Sequence, residues 1–109
     1  MKLLTREIRS KLLANGKMRP DDAKPVLKLF NPCGAGTWLF TELDEDGDTL
    51  YGLCDPGLGT PELGYASLSE MAALRLRFGL GIERDMHFKA TETLGEYAAA
   101  AREEGRIAA

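Results

Sequence analysis

The stretch from Asn31 to Leu68, NPCGAGTWLFTELDEDGDTLYGLCDPGLGTPELGYASL, decides the fold of this chain. It contains two segments rich in apolar and aromatic residues, Thr37–Leu43 and Asp48–Cys54, a composition that favours β-strands. Asp46-Gly47 lies between them and is a strong signal for a tight turn between antiparallel strands. We therefore predict a β-hairpin followed by a loop rich in glycine and proline.

The register of this hairpin has two solutions. A two-residue turn would pair Leu43 with Leu50, and further along it would pair Phe40 with Leu53. A three-residue turn with Gly47 as a bulge would shift the pairing by one residue and exchange the two faces. Both strands are apolar on both sides, which favours interior strands that are covered on each face.

Three helices are predicted from their capping residues, and they open at Thr5, Ser67 and Thr93. Ser67 and Thr93 are each followed three residues later by Glu, which is the pattern of a capping box. The first helix is predicted to end at Asn15-Gly16 and the third at Gly105, because glycine readily adopts the left-handed conformation that ends many helices.

The spacing of apolar residues predicts what the helices bury. Met71, Leu74 and Phe78 recur at helical spacing, so we expect all three to face the core before Gly79 and Gly81 stop the second helix. In the third helix the same spacing predicts one apolar stripe, formed by Leu94, Tyr97, Ala98 and Ala101.

Further strands are predicted at Pro25–Asn31, Leu63–Ser67 and Met86–Lys89. The order is then a helix, three or four antiparallel strands, a helix, a short strand and a helix. This order predicts an α+β fold, with a small antiparallel sheet of three to five strands and N-terminal, middle and C-terminal helices packed on it. At 109 residues, we expect residues 1–109 to form a single domain.

Composition limits the classes of protein that this chain can belong to. The hydrophobic fraction of 44% and the charged fraction of 28% are ordinary for a globular domain. No apolar run approaches the roughly 18 residues of a membrane span, and the N-terminus lacks a signal-peptide core, so we expect a cytoplasmic protein without membrane contact. Cys33 and Cys54 have no close Cys or His partner, and we expect two reduced, partly buried thiols.

Charge is unevenly distributed along the chain. Residues 1–30 carry a net charge of +5, residues 31–70 carry −8 with no Lys or Arg, and the remainder is neutral. The two ends of the molecule would differ in electrostatic potential if the fold keeps these segments apart. The overall charge of −3 argues against nucleic acid as a direct ligand.

Two small sets of residues carry potential chemistry. Asp55, Glu62 and Tyr65 surround the Gly/Pro loop, and paired carboxylates can perform acid–base catalysis if burial separates their pKa values. An Asp before Pro-Gly more commonly stabilises its own loop by bonding the following backbone. On a strand, Asp85 and His87 would share a face, where they could bind a metal or relay a proton, although strand alternation alone also produces such surface pairs.

Other patterns do not complete a site. Glu42, Asp44 and Asp46 with Gly47 resemble the start of a calcium loop, but its twelfth position is Leu53 and its flanks are strands. We therefore predict a solvated hairpin tip, no metal site and no cofactor. The aromatic residues of the middle segment lack interleaved Lys or Arg, so we expect them in the core: Trp38, Phe40, Tyr51 and Tyr65.

Four runs of the sequence, taken together and in order, resemble a known family. They are Thr37-Trp38 with Thr41-Glu42, then Tyr51-Gly52-Leu53, then Pro61-Glu62-Leu63-Gly64-Tyr65 with Ser67, Leu68 and Glu70, and finally Gly81-Ile82-Glu83-Arg84-Asp85 with Phe88. In this order they resemble the bacterial domain-of-unknown-function family 2958. The resemblance implies a cytoplasmic bacterial α+β domain of the kind often met on plasmids and other mobile genetic elements, and it implies no mechanism.

The resemblance also singles out candidate binding residues, Glu62, Tyr65 and Arg84. Arg84 would either pair with Glu62 or Asp55 as a structural clamp or hold an anionic ligand. Our leading hypothesis is a non-enzymatic interaction module of a mobile element, docking an unknown protein partner through the acidic hairpin and the Gly/Pro loop. The alternative is a small hydrolytic or metal-assisted enzyme whose catalytic candidates are Asp55, Glu62, Asp85 and His87.

Overall fold

A computed structural model describes residues 2–109. The elements along the chain are α1 (Arg6–Met18), β1 (Leu27–Phe30), β2 (Thr37–Leu43), β3 (Thr49–Asp55), β4 (Glu62–Ser67), α2 (Leu68–Ala73), β5 (Glu83–Arg84) and α3 (Leu94–Glu104). The strands form one antiparallel sheet in the order β4-β3-β2-β1-β5, which confirms the predicted α+β fold. Among the described residues, no helix has the length and hydrophobicity needed to cross a bilayer.

The hairpin of β2 and β3 uses parts of both predicted registers. Leu43 pairs with Leu50, as a two-residue turn requires, but Phe40 pairs with Gly52 and not with Leu53. The shift arises from a bulge at Thr41, which adds one residue to β2 between these two pairs. A bulge of this kind depends on tertiary contacts, so the turn alone does not predict the register of the distal pairs.

Both faces of the sheet are covered, which confirms that the hairpin strands are interior. One face packs on α1, α2 and the N-terminal segment around a core that includes Leu12, Phe40 and Leu50. The other face packs on α3 around Leu39 and Leu53. The predicted stripe of α3 is buried there, formed by Leu94, Tyr97, Ala98 and Ala101.

The predicted end of the first helix is wrong. Helix α1 continues through Gly16 to Met18, and Arg19 ends it in the left-handed conformation with φ 47°. A Cβ at Gly16 would overlap the carbonyl oxygen of Leu43. Glycine is therefore required at this position because α1 lies directly against the backbone of β2. Beside it, the Asn15 side chain donates to the Thr41 carbonyl at the bulge (3.0 Å).

The second helix is shorter than its apolar spacing suggests. It ends at Ala73, so Met71 is buried as predicted, but Leu74 is half-exposed and Phe78 is 91% exposed. Phe78 lies in a single 3₁₀ turn, Arg77–Gly79, where its φ is +62°. The prediction that Leu74 and Phe78 face the core is therefore wrong, because the chain leaves the helical geometry before it reaches Phe78.

The two capping boxes differ in outcome. At α3 both reciprocal bonds between Thr93 and Glu96 are present, as predicted. At α2 the Ser67 hydroxyl accepts from the Glu70 backbone N–H (3.2 Å), but the reciprocal bond from the Ser67 N–H to the Glu70 side chain is not formed. Instead the Ser69 N–H, another amide of the first turn, donates to the Asp48 carboxylate of the hairpin (2.8 Å). A residue distant in sequence thus completes the cap.

The predicted last strand is misplaced. Strand β5 is Glu83–Arg84, which pairs with β1, and the predicted Met86–Lys89 segment is not a strand. The Asp85 carboxylate accepts from the His87 N–H (2.9 Å) and turns the chain away from the sheet.

Candidate functional site

The Asp55 carboxylate shapes the Gly/Pro loop. It is 2% exposed, and its Oδ1 accepts from the Gly57 backbone N–H (2.9 Å). Gly57 and Gly59 have φ values of +95° and +85°, so the loop uses both glycines for conformations that other residues rarely adopt. Asp55 therefore has the structural role that an Asp before Pro-Gly predicts, at the end of β3.

Glu62 and Tyr65 both lie on β4, and both are exposed. Glu62 pairs with Cys54 and Tyr65 pairs with Tyr51, so the two side chains project from opposite faces of the sheet. The Tyr65 ring lies 5.1 Å from that of Tyr51 and is 70% exposed. The expectation that Tyr65 belongs to the core is therefore wrong, because α3 leaves this corner of the sheet uncovered.

The remaining candidates lie at the opposite edge of the sheet. The Arg84 guanidinium donates to the Lys2 carbonyl (2.8 Å), and the Asp85 carboxylate pairs with Lys28 (3.5 Å). Three strands separate β5 from β4. The predicted clamp between Arg84 and Glu62 or Asp55 is therefore wrong.

The carboxylates of the enzyme hypothesis are divided in the same way. Asp55 and Glu62 lie on the side of β4, whereas Asp85 and His87 follow β5. Within residues 2–109, no three His, Cys, Asp or Glu side chains are grouped closely enough to hold a metal ion. The four residues thus do not meet in one cleft. Concerted acid–base or metal chemistry needs side chains that converge in this way.

Two hairpin carboxylates are bound internally. Asp46 accepts from the backbone N–H of Asp48 (2.8 Å) and from the backbone and hydroxyl of Thr49 (2.9 and 2.6 Å). Asp48 accepts from the Ser67 hydroxyl (2.7 Å) and from the Ser69 backbone. Hydrogen bonds from Thr49 lower the pKa of Asp46, and those from Ser67 and Ser69 lower the pKa of Asp48.

The fold also brings opposite charges together. Lys17 and Arg19 at the end of α1 line the same hollow as Asp44 and Glu45 of the hairpin. The basic first segment of the chain therefore lies beside the acidic hairpin, and the two are not kept at separate ends of the molecule. The acidic residues that remain on the surface away from α1 include Glu62 on β4.

The free edge of β4 is the most distinctive surface of the described residues. Six residues of β4 pair with β3 in continuous register, and no backbone hydrogen bond within residues 2–109 extends β4 on its other side. Large apolar side chains are exposed along it, with Leu63 42% and Tyr65 70% exposed, and Leu58 of the Gly/Pro loop is 79% exposed. We call β4 together with Leu58 the β4 edge surface.

The two cysteines differ in environment. Cys33 is exposed in the turn after β1, so the expectation of burial is wrong for this residue. Cys54 on β3 is half-buried, and burial raises the pKa of its thiol to about 11.

Comparison with known proteins identifies the family of this chain. The model of DUF2958, a protein of unknown function, matches residues 3–108. Neither the curated proteins nor the solved structures contain a significant match to the chain. Because the family model covers almost the whole chain, the resemblance seen in the sequence is confirmed, and the chain belongs to the DUF2958 family of proteins of unknown function.

Proposed function

We propose that this protein is a non-enzymatic binding module that holds an extended segment of a partner protein along the β4 edge surface. The observation that carries the proposal is the unpaired outer side of β4, a regular six-residue strand. Every second residue of such a strand directs its N–H and C=O away from β3. These groups can bind a further strand by β-augmentation.

Between Glu62 and Ser67 the edge lacks three of the features that usually prevent strand addition, and Glu62 is its one charged side chain. Natural edge strands are protected by Lys, Pro, bulges or a covering element. β4 contains neither Lys nor Pro between Glu62 and Ser67, and its pairing with β3 has no bulge. An edge left accessible in this way, with Leu63 and Tyr65 exposed beside it, fits a binding surface.

The chemistry of the partner follows from the two faces of β4. On the face of α3 an added strand would lie beside Leu63 and Tyr65, which favours apolar side chains. On the other face it would lie beside Glu62, which favours Lys or Arg. The partner segment is therefore extended, with alternating basic and apolar residues.

The Gly/Pro loop and the hairpin have different parts in this proposal. The loop presents Leu58 at the end of β4 and is held in shape by Asp55. In the hairpin, Asp44 and Glu45 are exposed and available for long-range attraction, whereas Asp46 and Asp48 are held by internal bonds. A bacterial mobile element and a cytoplasmic location remain part of the proposal, on the strength of the family resemblance.

A synthetic peptide of alternating Lys and Val, about as long as β4, tests the proposal. We expect saturable binding by fluorescence anisotropy, and no binding of a peptide with Pro at alternate positions, because Pro cannot donate to the strand. A Glu and Val peptide should bind at least about tenfold more weakly, since its charges would oppose Glu62.

Matched variants locate the binding. Tyr65→Lys places a charge at the edge and should abolish binding, whereas Met18→Lys, an equally exposed apolar residue on α1, should leave it unchanged. Glu62→Lys should weaken binding of the basic peptide, and Glu103→Lys on α3 is its control. Equal binding by both members of either pair, or a dimer of this chain formed through β4, would refute the proposal.

A further inference from the structure

A second surface lies apart from β4, between the N-terminal segment and two helices. It is an open groove of about 540 Å³ in which Leu4, Leu68 and Ala72 contribute an apolar floor. Three cations line the same groove, Lys2, Arg6 and Arg9. The groove thus combines an apolar floor with a cationic rim, and its volume is typical of small-molecule sites.

The cations of the groove form no ion pair within residues 2–109. The ion pairs in this part of the chain join Lys11 to Glu7 (3.6 Å) and Lys28 to Asp85 (3.5 Å), and neither involves the rim. The Arg9 guanidinium lies against the hairpin at Gly47, so the rim extends from the N-terminal segment towards the hairpin tip. Within residues 2–109 the three rim cations therefore form no direct ion pair, and Arg9 is the one that lies beside the acidic hairpin.

The N-terminal wall of the groove is fixed in place. Leu3 is buried in the core, and the Arg84 guanidinium donates to the Lys2 carbonyl (2.8 Å). Arg84 is thus a positioning residue for this wall, which gives a structural role to a position that the sequence singled out. The opposite wall is α2, whose Leu68 and Ala72 are four residues apart and share one face of the helix.

We propose that this groove binds a small single-chain amphiphile with an anionic head group, its chain lying on Leu4, Leu68 and Ala72 and its head among Lys2, Arg6 and Arg9. The occupant follows from charge complementarity, because a neutral chain would leave the cations unpaired and a cationic one would be repelled. Carboxylate and phosphate heads share the required chemistry.

Decanoate, below its micellar concentration, is the first probe, and isothermal titration calorimetry measures its binding. We expect one saturable site, with decanol binding at least about tenfold more weakly and decyltrimethylammonium not binding. Lengthening the chain of decanoate by two methylenes should tighten binding by up to about fifteenfold, the limit expected if both added methylenes are fully buried. Decyl phosphate distinguishes the two head groups, and inorganic phosphate alone should bind far more weakly.

Two independent variants test the groove itself. Ala72→Trp fills the floor and should abolish binding, whereas Ala100→Trp, at an exposed position of α3, should not. Lys2→Gln with Arg6→Gln should weaken decanoate binding about fivefold to tenfold without affecting decanol. Lys17→Gln with Lys89→Gln removes the same charge elsewhere on the surface and is the control.

Thermal unfolding of each variant confirms that it is folded. Absence of saturable decanoate binding would overturn the inference, as would equal affinity for decanol or unchanged binding in Ala72→Trp. Equal affinity for inorganic phosphate and decyl phosphate would also overturn it, because the apolar floor would then contribute nothing.

Discussion

Substitution of Gly16 tests how the first helix is packed on the sheet. At an exposed position in a helix, Gly→Ala stabilises a protein by about 1 kcal/mol, because alanine has the higher helix propensity. Gly16 lies inside α1, but a Cβ there would overlap the Leu43 carbonyl oxygen of β2. We therefore expect Gly16→Ala to be destabilising.

The magnitude follows from two opposing terms. Forcing a methyl group into a packed contact costs about 1 to 3 kcal/mol, and overlap with a backbone oxygen lies in the upper part of that range, at about 2 to 3 kcal/mol. The gain in helix propensity offsets about 1 kcal/mol of that cost. The free energy of unfolding should fall by about 1 to 2 kcal/mol, which lowers the Tm by roughly 5 to 15 °C for a domain of this size. Urea unfolding followed by circular dichroism measures the free energy, and calorimetry measures the Tm.

Gly95 is the matched control for this experiment. It lies in the first turn of α3, and the nearest atom to a Cβ there is the Thr93 hydroxyl oxygen at 4.0 Å. Gly95→Ala should therefore be neutral or stabilising by about 0.5 kcal/mol. If Gly16→Ala stabilised the protein to the same extent as Gly95→Ala, the close packing of α1 on β2 would be refuted.

Three further predictions concern the hairpin, the thiols and the loop after α2. The pKa of Asp48 is lower in the folded state than its ordinary value of 3.8. Its contribution to stability is therefore complete at pH values above 3.8 and is lost as the pH falls through the lower pKa of the folded state. Urea unfolding across that pH range should show a smaller loss of unfolding free energy in Asp48→Asn than in the wild type. Cys33 should react with iodoacetamide in the folded protein, whereas Cys54 should react only after unfolding, as mass spectrometry of the labelled protein would show; rapid labelling of Cys54 would contradict its burial. Phe78→Gly should raise the free energy of unfolding by up to about 1 kcal/mol, because Phe78 has a positive φ and almost no buried surface; a loss of stability in urea unfolding would refute the strain.

Predictions that rest on local chemistry agree with the structure. Thr93 and Glu96 are close in sequence, and their reciprocal bonds need nothing beyond the first turn of α3. The existence of the hairpin likewise follows from its turn residues, whereas the bulge at Thr41 decides the pairing of its distal residues. The prediction that Gly16 ends α1 is wrong because glycine is required there by contact with Leu43, which is distant in sequence. A glycine that ends a helix and a glycine that packs against a strand have the same local sequence pattern.

The arrangement of the candidate sites could not be predicted because strand order is a nonlocal property. Arg84 lies in β5 and Asp85 follows it, and the pairing of β5 with β1 separates both from Glu62 by the width of the sheet. The exposure of Tyr65 also escaped prediction, since an aromatic residue on a strand is compatible with either the core or an edge. The absence of Lys and Pro within β4 was a signal in the sequence that its edge is unprotected.

Hydrogen–deuterium exchange of the β4 amides, with and without the Lys and Val peptide, tests most directly whether this edge is a binding surface. If the partner segment adds to the sheet, exchange should slow along Glu62–Ser67 when the peptide is present, and α3 should be unaffected. Protection elsewhere in the chain, or none along β4 at a saturating peptide concentration, would contradict the proposed function.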